Sequence, residues 1–296
     1  MNAHSRLCPR WLASVGKRLA WFAAVLLAGG ILGGALVRMA PGFGIDERVL
    51  DARLTNNSVA ELSKVPAEGS NLAIYYWHYL GGLLRGDLGN SISLGRPVRA
   101  LLAERLGVSL RSLAAGLAMA WVLAFSVALL LEIHRRALWD RALSLAAGVL
   151  LCIPAALLAL GCLQLGGSPA LALAAILFPR FFKYVHSLAR NAASAPHVFA
   201  AYAFGERGVR IAGLHVVAPA LPELLALAGV SVSLAVGATI PVEALCDSPG
   251  VGQLVWQAAL ARDLPVIVNV TLLVTAVTAA ANLAADVGRT LREVGS

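Results

Sequence analysis

Three lysines, six histidines, four cysteines and a few carboxylates are the residues that could do chemistry in this chain, and their spacing withholds most of it. Lys17, Lys64 and Lys183 are none of them followed by Ser or Thr, so no phosphate-cradling G-x-x-x-x-G-K-[ST] loop exists. His4, His78, His134, His186, His197 and His215 include no i,i+4 pair and no HExxH, the spacing a helical zinc site needs. There is no G-x-S-x-G nucleophile elbow. Cys8, Cys152, Cys162 and Cys246 share no C-x-x-C spacing, and two of them lie in apolar runs as small hydrophobes. No catalytic residue and no metal ligand set is expected, and no cofactor is expected on this chain. A single His215 among apolar residues reads as a packed or hydrogen-bonded structural residue. Ion-coupled transport needs ionisable groups near mid-membrane, yet Glu223 and Glu243 fall at the ends of apolar runs and Asp286 just past one.

The elements that carry these residues follow from composition. The 296 residues are 59% hydrophobic and 14% charged, where a soluble domain has about 25% charged. Mean hydropathy is +0.77. Too few polar side chains remain to cover a water-soluble globule, so a soluble enzyme, a disordered chain and a disulfide-rich module are all excluded. The net charge of +8 has no clustering that would fit nucleic acid.

Charge-free runs place the spans at Leu19–Val37, Ser112–Leu131, Ala142–Pro179, Leu224–Val242 and Leu264–Ala285. The third run, 38 residues, would extend ~57 Å as one helix against a hydrocarbon core of ~30 Å, so it must fold back. Gly166-Gly167-Ser168-Pro169 supplies the turn, which gives an all-α chain of about six transmembrane helices. The shortest apolar stretch is the fourth span, which runs into Arg180 and Lys183. Overlapping Gly29/Gly33 and Gly30/Gly34 pairs in the first span permit close helix approach. Basic residues concentrate in 1–18, 132–141, 180–215 and the tail, all on one side of a six-span chain. The positive-inside rule predicts that both termini are cytoplasmic. The organisation expected is a cytoplasmic segment 1–18, a first span 19–37, an extracytoplasmic loop 38–100, a transmembrane core 101–290 and a cytoplasmic tail 291–296. A long cytoplasmic loop, about 190–222, should hold a short helix over about 196–213, ended by Pro219 and Pro222.

Several stretches together resemble the permease subunits of binding-protein-dependent ABC importers, in the dipeptide/oligopeptide/nickel branch. Arg38-Met39-Ala40-Pro41-Gly42 fits the start of the first outer loop. Arg85-Gly86-Asp87-Leu88-Gly89, then Arg96-Pro97-Val98 through Glu104-Arg105-Leu106, is similar to the entry to that branch's second span. Ala200, Ala201, Ala203 and Gly205, with His215 and Pro222 beyond, resemble the cytoplasmic loop that grips the ATPase. Tyr202 and Phe204 stand where that loop usually carries basic residues. Gly237, Glu243, then Pro249-Gly250-Val251-Gly252, then Arg262-Asp263, form the most specific stretch, and Asn282 with Asp286 comes after it.

The resemblance implies a type I importer permease without covalent chemistry of its own. Its partners would be a second, homologous permease, two cytoplasmic ATPases that carry the ATP, and an extracytoplasmic binding protein, in the inner membrane of a prokaryote. The alternative is a permease-like subunit with an export or non-transport role. The ATPase-coupling residues implied are Ala200, Ala201, Ala203, Gly205, His215 and Pro222. The translocation-path candidates implied are Gly86, Asp87, Gly89, Gly237, Glu243, Pro249, Gly250, Gly252, Arg262, Asp263, Asn282 and Asp286. Gly250 after a proline is expected to need a positive φ.

Overall fold

The computed structural model describes residues 24–25, 28–29, 81–82, 85–134, 137–206 and 210–295, with side chains to 288. Most of the first span, the aromatic cluster Tyr75-Tyr76-Trp77-Tyr79 and the loop from 38 to 80 lie outside the described residues. The helices in order are α1 (Val98–His134), α2 (Ala137–Cys152), α3 (Ala155–Gln164), α4 (Pro169–Ala193) and α5 (Pro196–Ala203). A π-helix (Ile211–Val217) leads to α6 (Leu221–Leu245), α7 (Val251–Leu260) and α8 (Leu264–Gly295). Outside the helices, the described residues hold one isolated bridge, Asn90 to Pro97.

Four helices, α1, α4, α6 and α8, are long and apolar enough to cross a membrane, and α2 with α3 makes a fifth if the bent pair is one span. With most of the first span outside the described residues, this agrees with about six. The short fourth span is a full 25-residue helix that continues through Arg180 and Lys183 to Ala193. The third span departs from a straight rod: it bends by 101° between α2 and α3. Pro154 stands at the bend with extended backbone (φ −54°, ψ 135°). A proline has no N–H to give and pushes the residue before it out of helix. The turn at 166–169 forms as expected, with Gly166 at φ +73°. Ser168 caps α4, accepting from Leu171 N at 3.4 Å, and Pro169 fills the first turn.

The chain divides into two compact units, residues 105–256 with 276–296, and residues 1–104 with 257–275. In the larger unit the core lies between α1, α2, α4 and α6, around Phe181, Phe182, Leu177 and Leu227. The α1 residues wholly buried along it are small, with Leu117, Trp121 and Phe125 packed against it from the flanks. Ser112, Gly116, Ala120, Ala124 and Ala128 recur every four residues and all are buried, while Val122, Leu123 and Leu130 are exposed. This inverts the soluble pattern: lipid is as apolar as leucine, so close packing of small residues drives helix association. A Cβ on Gly116 would stand 2.7 Å from Leu173 Cβ, and one on Gly229 would stand 2.6 Å from Ala285 Cβ. Those two glycines set the approach of α1 to α4 and of α6 to α8. Trp121 Nε1–H donates to Ser231 Oγ at 3.0 Å, joining α1 to α6. Arg190 donates to Asp140 Oδ2 at 3.0 Å, joining α4 to α2.

In the smaller unit, a Cβ on Gly29 would meet Thr275 Oγ1 at 3.0 Å, so this glycine of the first span does face another helix. Segment 85–97 is an irregular strap with three left-handed glycines: Gly86 (φ +78°), Gly89 (φ +71°) and Gly95 (φ +63°).

Candidate functional site

Three groupings collect the sequence-predicted residues. The first surrounds Glu243, near the end of α6. Its side chain is fully buried, at 0% exposure. Its Oε2 accepts from Ser109 Oγ at 2.9 Å and from Gly252 N–H at 2.8 Å. Its Oε1 accepts from Ser112 Oγ at 3.2 Å. Ser109 Oγ in turn accepts from Val251 N–H at 2.7 Å. A carboxyl from α6 and a hydroxyl from α1 thus satisfy two of the unpaired N–H groups that begin α7. Burial of so polar a group is tolerable because its oxygens are partnered.

Gly250 and Gly252 belong to this arrangement for reasons of space. A Cβ on Gly250 would overlap the Glu243 carboxyl, and one on Gly252 would come within 2.7 Å of Ile240 Cα. Gly250 is not among the residues with positive φ, which corrects the expectation of a left-handed turn there. In that region the left-handed residues are Asp247 (φ +47°) and Arg262 (φ +54°). Pro249 is exposed on the turn itself. Gln253 links the rim, accepting from Arg105 Nη1 at 3.2 Å and donating to Asp247 Oδ1 at 2.5 Å.

The second grouping lies in the smaller unit around Asp263, which is 1% exposed. Its Oδ2 accepts from Ser91 Oγ at 2.5 Å, Ser93 Oγ at 2.7 Å and Ser93 N–H at 3.0 Å. Its Oδ1 reaches Val266 N at 3.4 Å and so caps α8. Burial pushes this carboxyl up, but the Ser91 and Ser93 side chains and the backbone N–H groups of the strap outweigh it and hold the carboxyl below its ordinary value. Asn269 Nδ2 donates to Leu88 O at 2.8 Å, and Asp87 Oδ1 accepts from Gly89 N–H at 2.9 Å. Gly86, Asp87 and Gly89 therefore belong to the strap that Asp263 and Asn269 tie to α8. A Cβ at either glycine would meet nothing within 4 Å, so their positive φ is what calls for glycine.

The third grouping is α5 with the π-helix beyond it. Val198 and Ala201 are buried, while Phe199 is 63%, Tyr202 36% and Phe204 88% exposed. Ala200 and Ala203 are also exposed. The helix ends at Gly205, whose φ of +85° lets Glu206 N–H return to Ala201 O at 3.1 Å. The expected helix over 196–213 is thus shorter, 196–203, and a left-handed glycine stops it instead of a proline. Residues 207–209 lie outside the described residues. His215 sits in the π-helix and its Nε2–H donates to Glu206 Oε2 at 2.9 Å. Pro222 does not end a helix; it occupies the first turn of α6. With Glu223 it lines a cavity of about 350 Å³ between α4 and α6.

The remaining candidates stand apart from the three groupings. Asn282 Nδ2 donates to Ser233 Oγ at 3.2 Å, between α8 and α6. Asp286 lies one turn further along α8. A Cβ on Gly237 would meet nothing within 4 Å, and its φ is not positive, so neither space nor backbone calls for glycine there. Sequence reasoning missed Ser93, Ser109, Ser112, His197 and Asn269, and it noted Ser91 only as part of the stretch that resembles the entry to the second span. The one local signal was Ser109 and Ser112, three apart on one face of α1 at the edge of its apolar run.

Comparison with known proteins fits this arrangement. Residues 116–292 match the family described as binding-protein-dependent transport system inner membrane component. A protein of Brucella suis biovar 1 named as a peptide permease is 28% identical over 88% of this chain and 92% of its own length. A peptide ABC transporter permease protein of Sinorhizobium fredii is 24% identical over 93% of this chain and 96% of its own. A nickel import system permease protein of Staphylococcus aureus is 22% identical over 86% of this chain and 83% of its own. The family match covers more than half the sequence and reaches every long membrane helix described, and the chain belongs to the inner membrane components of binding-protein-dependent transport systems.

Proposed function

We propose that this permease imports a peptide or a nickel species by alternating access, and that α5 is where separate ATPase subunits drive it. The observation that carries the reading is the aromatic face of α5. Phe199 and Tyr202 are exposed on an eight-residue helix set between two membrane helices, and Phe204 is exposed just past its last residue. Burying one such ring against a partner is worth roughly 1.5–3 kcal/mol. Apolar contact then replaces the charge usual at those positions. From α5 the chain passes through the π-helix into α6, a 25-residue rod about 37 Å long, which ends at the Glu243 arrangement. Movement at α5 reaches that far end through one helix. The full assembly would contain a second permease, two ATPases and a binding protein that delivers solute. The relatives named for peptides and for nickel support those two cargo classes, and no comparison favours an export or non-transport role.

The test is uptake in cells lacking the native gene, complemented by this chain. Accumulation of radiolabelled dipeptide or of radioactive nickel that depends on the ATPase subunits, and is lost with Phe204→Glu, supports the reading. Loss of preloaded label from the cells would support export and contradict it. The orientation has its own test. A cysteine at Ser58 should react with an impermeant thiol reagent from outside and one at Ser194 only after permeabilisation, as the basic-residue asymmetry requires; the reverse labelling would invert the topology.

A further inference from the structure

We infer that His215, Glu206 and His197 form a clamp that holds both ends of α5 to the π-helix, and that these positioning residues pass the displacement of α5 on to α6. The inference rests on α5 being the ATPase-docking helix. An eight-residue helix has too few turns to hold itself in water, so its orientation must come from contacts. Two of them converge on one residue. At the start of α5, His197 Nε2–H donates to the His215 carbonyl at 3.0 Å. Just past its end, the Glu206 carboxylate accepts from His215 Nε2–H at 2.9 Å. The Gly205 turn (φ +85°) is what brings Glu206 back toward the helix. Arg210 Nε lies 3.6 Å from Glu206 Oε1 and steadies the carboxylate from the other side.

The His215 carbonyl is open to His197 for a readable reason. Its α-helical donor would be the N–H of residue 219, and Pro219 has none. Neighbouring N–H groups are committed elsewhere: Ala218 donates to Gly213 O at 3.1 Å and Ala220 to Val216 O at 3.3 Å. The carbonyl is left without a backbone donor, and the histidine on α5 supplies one. The result is a π-helix, a rare form often kept at functional places, fastened to both ends of α5 and continuous with α6 through residues 218–220. His215 and Glu206 side chains are 29% and 25% exposed, so water competes with the pair less than on an open surface.

The experiment uses the reconstituted complex of this chain with its permease partner, ATPases and binding protein as purified from cells. It measures ATP hydrolysis stimulated by the binding protein, with the amount of ATPase retained by the complex. Glu206→Ala and His215→Ala should each retain the ATPases and lose about tenfold of the stimulation, the scale of one charge-assisted hydrogen bond. The double variant should lose no more than either single one, because both remove the same bond. His197→Ala with His215→Ala should add, because His197 binds the backbone carbonyl. Glu206→Gln keeps an acceptor and should recover most of the stimulation, which a misfolded segment would not. Full stimulation in both single variants, additive loss in the Glu206/His215 pair, or loss of the ATPases themselves would overturn the clamp. The underlying docking assignment fails separately, if Phe204→Glu leaves the ATPases bound.

Discussion

The two ends of α6 solve opposite problems. At one end Glu243 is fully buried and its carboxyl accepts three hydrogen bonds from α1 and α7. At the other, beyond the π-helix, Phe204 is almost wholly exposed, at 88%. A polar group is hidden and an apolar one is displayed. Each is costly alone: a buried carboxyl without donors loses its hydration, and an exposed ring orders water. The buried carboxyl has its compensation inside the chain, whereas the exposed ring would gain it only against the partner proposed for α5. Substitutions at the first end should therefore be felt by this protein in isolation, and substitutions at the second only by the assembly.

The largest effect expected is at the Glu243 end. Gly250→Val places a branched side chain where the Glu243 carboxyl lies and should cost about 3 kcal/mol or more, read as a lower thermal midpoint of the purified chain in detergent. Glu243→Ala strips the acceptor from Ser109, Ser112 and Gly252 and should cost about 2–3 kcal/mol by the same measurement. If both variants melt like the wild type, the buried arrangement is not structural and the contrast collapses.

The α5 end should behave otherwise. Phe204→Glu should change stability by no more than about 0.5 kcal/mol, as exposed substitutions do, and still release the ATPases. Gly205→Ala is intermediate: an alanine at φ +85° costs about 1–2 kcal/mol locally, enough to fray α5 without unfolding the spans. It should weaken ATPase retention and barely move the midpoint.

The range of the forces involved decides how much of this was legible in the sequence. The charge-free run Leu224–Val242 finds α6, because exclusion of charge from lipid acts at every residue. The Gly166–Pro169 turn was readable for a similar reason, since Gly and Pro act on their own backbone. The bend at Pro154 is equally local, but apolar flanks on both sides hide it. His215 as a hydrogen-bonded residue was legible, but not its bond to Glu206 across the Gly205 turn. The donors to Glu243 were not, because Ser109 is 134 positions away and only the packed fold brings it near. Gly250 stands out in the sequence for a reason the structure replaces: the requirement is space beside a carboxyl, not a left-handed backbone.

The smallest effect concerns Asp263, held below its ordinary value by Ser91 and Ser93 against the opposing push of burial. An unfolded aspartate titrates near ~3.9. A depressed folded value means stability present above that pH and lost as pH falls through the lower folded value. Ser91→Ala should raise the folded value, so that the variant loses stability at a higher pH than the wild type as acid is added. Thermal midpoints between about pH 6 and about pH 3 would read the difference, and identical acid profiles would remove Ser91 from the account.

The central claim is that the displayed face of α5 is where the ATPase docks. It is tested most directly by crosslinking. In a chain whose native cysteines are replaced by serine, a cysteine is placed at Phe204, or at Leu165 as a control that is equally exposed at 89%. A short thiol–amine crosslinker is then added to membranes containing the whole transporter. The account predicts a product of permease plus ATPase mass from position 204 and none from position 165. Crosslinking at 165 with none at 204 would contradict it.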